Sequence, residues 1–298
     1  MQVIAEKQEN SIVNLRSKLQ DYALFFKMRL TFLVVFSALL GYLIGADSWN
    51  WLDLMWLGIG GFMVTASSNG FNQIIEKDLD VLMDRTKNRP LATARMSILE
   101  GIIIASSIGL VGILVLWLKF NVLAAVLGIL ALFTYVALYT PMKQISPWAV
   151  FVGAFPGAIP PMLGWVAATG QFGLEAGLLF ALQFMWQFPH FWAIAWKADE
   201  DYAKAGFRLL PSKGGKDTMS AFLMLVYSLF LLVVSLLPVF FMLTDTIALI
   251  FIIIAGLIMV YPAILLFLKR TNKAASLLMF ASFIYIPIVL IAWFLDKI

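Results

Sequence analysis

Two stretches of this sequence gather oxygen-bearing side chains at helical spacing. The first reads Asn72-Gln-Ile-Ile-Glu76-Lys-Asp-Leu-Asp80 and runs on to Asp84. Steps of four residues keep Asn72, Glu76 and Asp80 on one helical face, drifting by about 40° per step, while Asp78 points elsewhere. Three oxygen donors stacked on one face suit a hard divalent cation. Mg²⁺ typically takes one or two carboxylates and fills its remaining positions with substrate phosphate oxygens. Just beyond lie Arg85, Lys87 and Arg89, which can receive such oxygens. Acids to hold a metal followed by bases to hold phosphate describe a diphosphate site. The plainer reading is a solvated, charged loop, and the position of Asn72 inside an apolar run weighs against it.

The second stretch runs from Trp186 through His190 and Lys197 to Asp199, Glu200 and Asp201. On a continuous helix His190, Lys197 and Asp201 share a face, at spacings of seven and four. Asp199 faces the opposite way and Glu200 sideways. Asp201 is therefore the metal or diphosphate candidate here, with Lys197 as its phosphate partner. Two carboxylate clusters on separate helices can hold metal with a diphosphate bridged between them. His190, the only histidine, lies about two turns deeper. It reads either as a ligand or proton carrier or as a hydrogen-bonded packing residue. Trp186, Phe188, Phe191, Trp192 and Trp196 either line a cavity, where ring faces can stabilise a cation, or form an interfacial belt against lipid.

The elements that must position these residues are membrane helices. Of 298 residues 62% are hydrophobic and 13% charged, against roughly a quarter charged in soluble domains. Lipid must be the solvent, and the length allows about nine spans of roughly 20 residues. Apolar runs cover Met28 to Gly45, Leu52 to Ile75, Ile98 to Leu118, Val122 to Thr140, Trp148 to Ala168, Leu174 to Trp196, Met219 to Leu243, Ile247 to Leu268 and Ala274 to Leu295. Gly153, Pro156, Gly157, Pro160, Pro161 and Gly164 interrupt the fifth, as a kink shaping a pocket or as a tolerated break. With these spans every Lys and Arg except Lys119 and Lys297 falls on the side of the N-terminus. The positive-inside rule assigns that side to the cytoplasm, and with it both charged loops. The acidic residues of the two clusters lie at the same ends of the second and sixth spans, whereas transporters place theirs near the midplane.

The remaining composition narrows the chemistry. Cysteine is absent, which excludes disulfides, thiolate catalysis and Cys-ligated metal. The net charge of +4 gives no indication of a nucleic-acid partner. Residues 1–26 carry Glu6, Glu9 and Asp21 and lack the marks of a signal or transit peptide. They read as a cytoplasmic segment, either a tail or a short surface helix capped by Ser11 with Ile12, Leu15 and Leu19 on one face. Residues 27–298 read as a single transmembrane domain.

At these residues the sequence resembles the UbiA-type membrane prenyltransferases, over nearly the whole chain from Lys27 onward. Asn72, Glu76 and Asp80 match the first aspartate-rich motif, with Glu76 where many relatives carry Asp. Asp201-Tyr202, followed by Ala205-Gly206 and Leu210-Pro211, matches the second and supplies one clear acid. Met83-Asp-Arg-Thr-Lys-Asn-Arg-Pro-Leu91, Phe155-Pro-Gly-Ala-Ile-Pro-Pro161 with Gly164-Trp165, and Trp186-Gln-Phe-Pro-His-Phe-Trp192 are more specific to the heme-modifying branch. Met28 and Phe188 replace prolines expected there.

The resemblance implies an all-α, polytopic helical bundle with a central cavity opening near the cytoplasmic side, in a bacterial inner membrane. It implies that farnesyl diphosphate binds through Mg²⁺ held by Asn72, Glu76, Asp80 and Asp201, and that Arg85, Arg89, Lys143 and Lys197 neutralise the leaving diphosphate. It places His190, Trp186 and Trp192 on the side of the acceptor, heme B, whose vinyl group is farnesylated and hydrated to give heme O for terminal oxidases. Partners implied are the lipid bilayer and heme A synthase or oxidase assembly proteins. An aromatic quinone-precursor acceptor and a non-enzymatic transporter are the competing readings.

Overall fold

The computed structural model describes residues 17–298, so the expected surface helix capped by Ser11 lies largely outside the described residues. A helical stretch over 17–25 leads into α1 (Met28–Gly45). There follow α2 (Trp51–Asp80), α3 (Ile98–Lys119) and α4 (Val122–Phe133), the last continuing through a π-helical segment, Thr134–Tyr139, to Thr140–Met142. Next come α5 (Ala149–Thr169), α6 (Leu174–Lys204), α7 (Thr218–Phe240), α8 (Thr246–Lys269) and α9 (Asn272–Leu295). Each expected span falls on one of these helices. Seven of them are long and apolar enough to cross a membrane. The two that fall short of that apolarity, α2 and α6, are the long helices that carry the polar clusters. With family membership shown below, the chain is a multi-pass membrane protein.

Sequence signals set the helix starts. Asn50, Ser97, Asn121, Asp217 and Thr271 each accept a backbone N–H of the first turn of α2, α3, α4, α7 and α9. The helices form two joined groups. α1 packs on α2 and α5, and α2 on α3; α6 packs on α7 and α9, and α8 on both of those. The α1–α5 and α5–α6 seams are close because side chains there are missing or small. A Cβ on Gly164 would overlap the Ala38 carbonyl oxygen, and one on Gly41 the Pro161 carbonyl oxygen. Such contacts substitute for the hydrophobic drive that lipid does not supply. This explains the Gly- and Pro-rich fifth span. Despite Pro156, Pro160 and Pro161, α5 is one uninterrupted helix, and its glycines serve packing: Gly164 against α1, Gly157 against Gln187 of α6 and Gly153 against Tyr139 of the π-helical segment.

The two ends of the bundle differ. At one end the loop over 81–97, Lys27, Lys143 and the end of α6 converge, as the next section describes. At the other, a cleft of about 600 Å³ opens between Tyr42, Asp47, Trp165, Glu175 and Lys297. There Lys297 Nζ donates to the carbonyls of Leu43, Ile44 and Ala46 at 3.0, 3.4 and 2.6 Å, closing the end of α1. Asp296 Oδ2 accepts the N–H groups of Asp245 and Ala248 at the start of α8.

Candidate active site

The polar face of α2 is buried along its last turns. Asn72, Glu76 and Asp80 are 1%, 3% and 1% exposed. Unpaired, such groups would be costly in a membrane, and each is met by a cation from a different segment. Lys27 Nζ donates to Asn72 Oδ1 at 2.6 Å. Lys143 Nζ lies 2.5 Å from Glu76 Oε1. Arg89 Nη1 donates to both Asp80 oxygens, at 2.7 and 2.8 Å. Thr140 Oγ1 accepts from Asn72 Nδ2 at 3.2 Å.

The backbone explains how these cations arrive. Lys27 has φ 47°, a left-handed conformation that a non-glycine residue holds only when its surroundings fix it. Polar residues one and two turns before the acids do so: Gln73 Nε2 donates to the carbonyls of Leu24 and Phe25, and Asn69 Nδ2 to Thr31 Oγ1. Burial first, then the nearby Arg89 and Lys143, push the Lys27 ammonium well below the usual lysine range. An arriving anion would relieve that. The π-helical segment, a form common at functional sites, brings Tyr139 under the Lys143 ammonium at 4.8 Å, and the Phe207 ring lies 5.8 Å from it.

Asp201 sits differently. α6 is continuous to Lys204, so His190, Lys197 and Asp201 do lie on one face. The Asp201 oxygens accept the backbone N–H groups of Asp84 and Arg85 at 2.7 and 3.2 Å. Lys204 pairs with both Asp84 and Asp201, Lys87 with Asp84 at 2.6 Å, and Arg85 with the Tyr202 hydroxyl at 3.0 Å. The end of α6 is thus latched onto the loop that delivers Arg89. Lys197 is exposed and lies over the Phe280 ring of α9 at 5.9 Å, out of contact with the acids of α2. Glu200, also exposed, pairs with Lys216 at 3.6 Å.

His190 is 5% exposed and faces α9. Its Nδ1 is 2.7 Å from Ser282 Oγ. The Ser282 hydroxyl donates to the Met279 carbonyl at 2.6 Å, so Nδ1 must carry the proton and donate. That leaves the Nε2 lone pair, for which no protein partner is found among the described residues. Trp186 stacks on the imidazole at 4.5 Å and donates its indole N–H to the Ser282 carbonyl. Trp192 turns the other way, into Phe188 and Tyr227 of α7, and does not join His190.

Among the described residues no cluster of three or more His, Cys, Asp or Glu side chains is arranged to hold a metal. The donor set on α2 nevertheless fits Mg²⁺: one amide oxygen and two carboxylates on one face. Glu76 Oε1 is buried without a hydrogen bond of good geometry despite its close ammonium. A divalent ion completed by substrate phosphate would meet that need. Three cations face two carboxylates, an excess of positive charge that favours an anionic ligand.

A bundle of membrane helices with acids and bases converging at one end is the architecture of a membrane prenyltransferase. The UbiA prenyltransferase family's sequence profile matches residues 34–285, and the chain belongs to that family. Within it, the chain is 49% identical to the protoheme IX farnesyltransferase of Christiangramia forsetii, over 94% of each chain. Among solved structures it is similar to a digeranylgeranylglyceryl phosphate synthase, with TM-score 0.77, 20% identity and 94% and 98% of the two chains covered. A UbiA homolog from Archaeoglobus fulgidus bound to GPP and Mg²⁺ matches with TM-score 0.61 and 12% identity, over 91% and 99% of the chains. The resemblance read from the motifs is borne out.

Two contributors escaped the sequence reading. Lys27 counted there only toward topology, and Thr140 only as the end of a span. Their partner, Asn72, is far away in sequence, and only the fold reveals the pairing.

Proposed function

We propose that this protein transfers a farnesyl group from farnesyl diphosphate to a vinyl group of protoheme IX (heme B), with addition of water, giving heme O for terminal oxidases. What carries the proposal is the buried donor face of α2, each oxygen donor met by its own cation, in a chain whose curated relative bears that activity in its name. Asn72, Glu76 and Asp80 would hold Mg²⁺. Asp201 is the fourth candidate donor, on condition that it exchanges its loop amides for the ion. When bound, the ion would neutralise charge on the departing diphosphate.

The cations of the site have a second role in this reading. Lys27, Lys143 and Arg89 neutralise the acids in the free protein and turn to diphosphate oxygens when substrate arrives, with Arg85 nearby on the same loop. As the allylic C–O bond breaks, negative charge grows on the diphosphate where these fixed cations stand, so they stabilise the transition state more than the ground state. The vinyl π electrons form the new C–C bond to the farnesyl carbon. Water then captures the porphyrin-side cation, and its proton leaves to yield the hydroxyl. In this reading His190 and Trp186 belong to the acceptor side.

The end carrying the loop over 81–97 is proposed to face the cytoplasm of a bacterial inner membrane, with residues 1–26 on that side and all nine helices spanning. Heme A synthase and oxidase assembly proteins are the partners this product implies. The test is purified protein with heme B, farnesyl diphosphate and Mg²⁺, followed by mass analysis of the porphyrin. A product heavier by one farnesyl group and one water is expected. Unmodified heme, with prenyl transfer to an added quinone precursor, would refute the acceptor.

A further inference from the structure

Lys18, Asp21, Tyr22 and Phe25 of the helical stretch over 17–25 fall at i, i+3, i+4 and i+7, and so share one face. That face lies on the loop over 81–97 and the start of α3. The Phe25 ring is buried with Leu91, Met96 and Ala105, over Gly70 of α2, where a Cβ would overlap it. Lys18 and Tyr22 both meet Glu100, in the first turn of α3, at 2.9 Å. Asp21, 5% exposed, takes the Arg95 guanidinium, whose Nε and Nη2 lie 2.9 and 2.8 Å from its Oδ1. The rest of that guanidinium holds the loop itself. Nη2 donates to the Asn88 carbonyl at 2.8 Å and Nη1 to Thr93 Oγ1 at 2.7 Å. Thr93 in turn donates its N–H and its hydroxyl to the Arg89 carbonyl, at 3.0 and 2.9 Å.

One guanidinium therefore joins the two segments that carry cations into the site. Lys27 stands two residues beyond Phe25, and Arg89 is the residue whose carbonyl Thr93 holds. Each segment contains a left-handed non-glycine residue, Lys27 at φ 47° and Ala94 at φ 57°. Such backbone persists only where surrounding contacts fix it. We infer that Asp21 and Arg95 are positioning residues for the diphosphate, delivering Lys27 and Arg89 as one unit. Asp21 acts through the helical stretch that leads to Lys27, and Arg95 through the turn that carries Arg89. When substrate arrives, Lys27 leaves Asn72 and Arg89 leaves Asp80. With both backbones tied to one guanidinium, the two side chains reach the same anion without first ordering a free segment. This inference rests on the site taking a diphosphate, and it assigns the residues that hold two of its cations in register.

The experiment uses the full chain in detergent micelles with Mg²⁺. Calorimetry reads the binding of farnesyl diphosphate and of inorganic pyrophosphate, and the Soret band reads heme B separately. Arg95→Gln and Asp21→Asn are each expected to weaken both diphosphates by the same factor, about fivefold, and to leave heme B binding unchanged. Combined, they should weaken binding no more than the larger single effect, since both break one contact. In a protein carrying Lys27→Met and Arg89→Ala, adding Arg95→Gln should weaken the remaining binding less than about twofold, because the groups it positions are gone. An undiminished loss there, or equal loss of heme and diphosphate binding, would mark a general loosening and overturn the positioning role. Asp21→Asn keeps the side-chain volume, so its arm holds where Arg95→Gln misfolds. If Lys27→Met and Arg89→Ala weaken pyrophosphate binding while Arg95→Gln and Asp21→Asn do not, only this inference falls. If wild-type protein binds neither diphosphate, the proposed function falls with it.

Discussion

Lys143 and Glu76 form an ion pair, Nζ to Oε1 2.5 Å, with side chains only 10% and 4% exposed. One residue comes from the connection after α4, the other from the polar face of α2. Lys143→Met would strand a carboxylate at a shielded site. Losing one partner of a fully buried pair costs about 3–5 kcal/mol, and a site open to substrate should lose nearer ~2 kcal/mol. Turnover should also fall more than about a hundredfold, which is some 2.7 kcal/mol of transition-state stabilisation. Adding Glu76→Gln to Lys143→Met should restore thermal stability but not activity. A double variant as unstable as the single one would show that the stranded charge is not the cause.

Asp80→Asn keeps the side-chain volume and removes its charge. The protein is expected to fold and to lose turnover at saturating Mg²⁺. Near-normal activity would refute the metal role of Asp80. Arg89→Ala should weaken farnesyl diphosphate binding about tenfold or more, at least ~1.4 kcal/mol, and leave the heme spectrum alone. Calorimetry with each substrate separately reads both outcomes.

The loop over 81–97 should loosen with Asp201→Asn, because the neutral amide has one oxygen for two backbone donors. Faster hydrogen exchange at Asp84 and Arg85 is the expected signature. A raised Mg²⁺ requirement with unchanged exchange would instead mark Asp201 as a ligand first and a latch second.

The same latch should be insensitive to pH in the physiological range. Hydrogen bonds from Lys204 and then Lys87 hold the Asp84 carboxyl at about 2, below its usual range. A carboxylate lowered in this way contributes its stability above its unfolded value near 4 and loses it as pH falls through about 2. Loop protection is therefore expected to stay level between about pH 5 and 8. Added salt should reduce it, since these pairs are exposed. A midpoint between pH 5 and 8 would contradict the ion pairing.

Cysteines introduced at Lys87 and Lys213 should react with a membrane-impermeant reagent only from the cytoplasmic side. Reaction of either from outside would reverse the proposed orientation.

Much of the helical layout was legible because span length and charge asymmetry are properties of the chain itself. The acids of α2 could be placed on one face because they lie within a single helix. What could not be read was who faces whom. Asp201 offered the right residue at the right spacing, and its oxygens went to loop amides that no pattern announces. Lys197 shares a face with Asp201, yet it is exposed and lies over the Phe280 ring of α9. Lys27 was invisible because its neighbours in space come from α2 and the loop after α4. Helical periodicity finds residues that share an element, whereas this site is assembled from several.

The clasp at the far end of the bundle has a consequence for biogenesis. The carbonyls that end α1 receive their ammonium from Lys297, a residue 251 positions later than Ala46. Tyr42 can tie this end of α1 to Asp53 of α2 early, but the carbonyls of Leu43, Ile44 and Ala46 lack their ammonium until every later helix has been inserted and α9 has docked. Lys27 and Asn72 can meet early in synthesis, but this clasp closes only when the chain is nearly complete. A ribosome stalled before α9 would release a protein that holds every acid and base proposed for the site, with the helix that follows Lys27 lacking its last fastening.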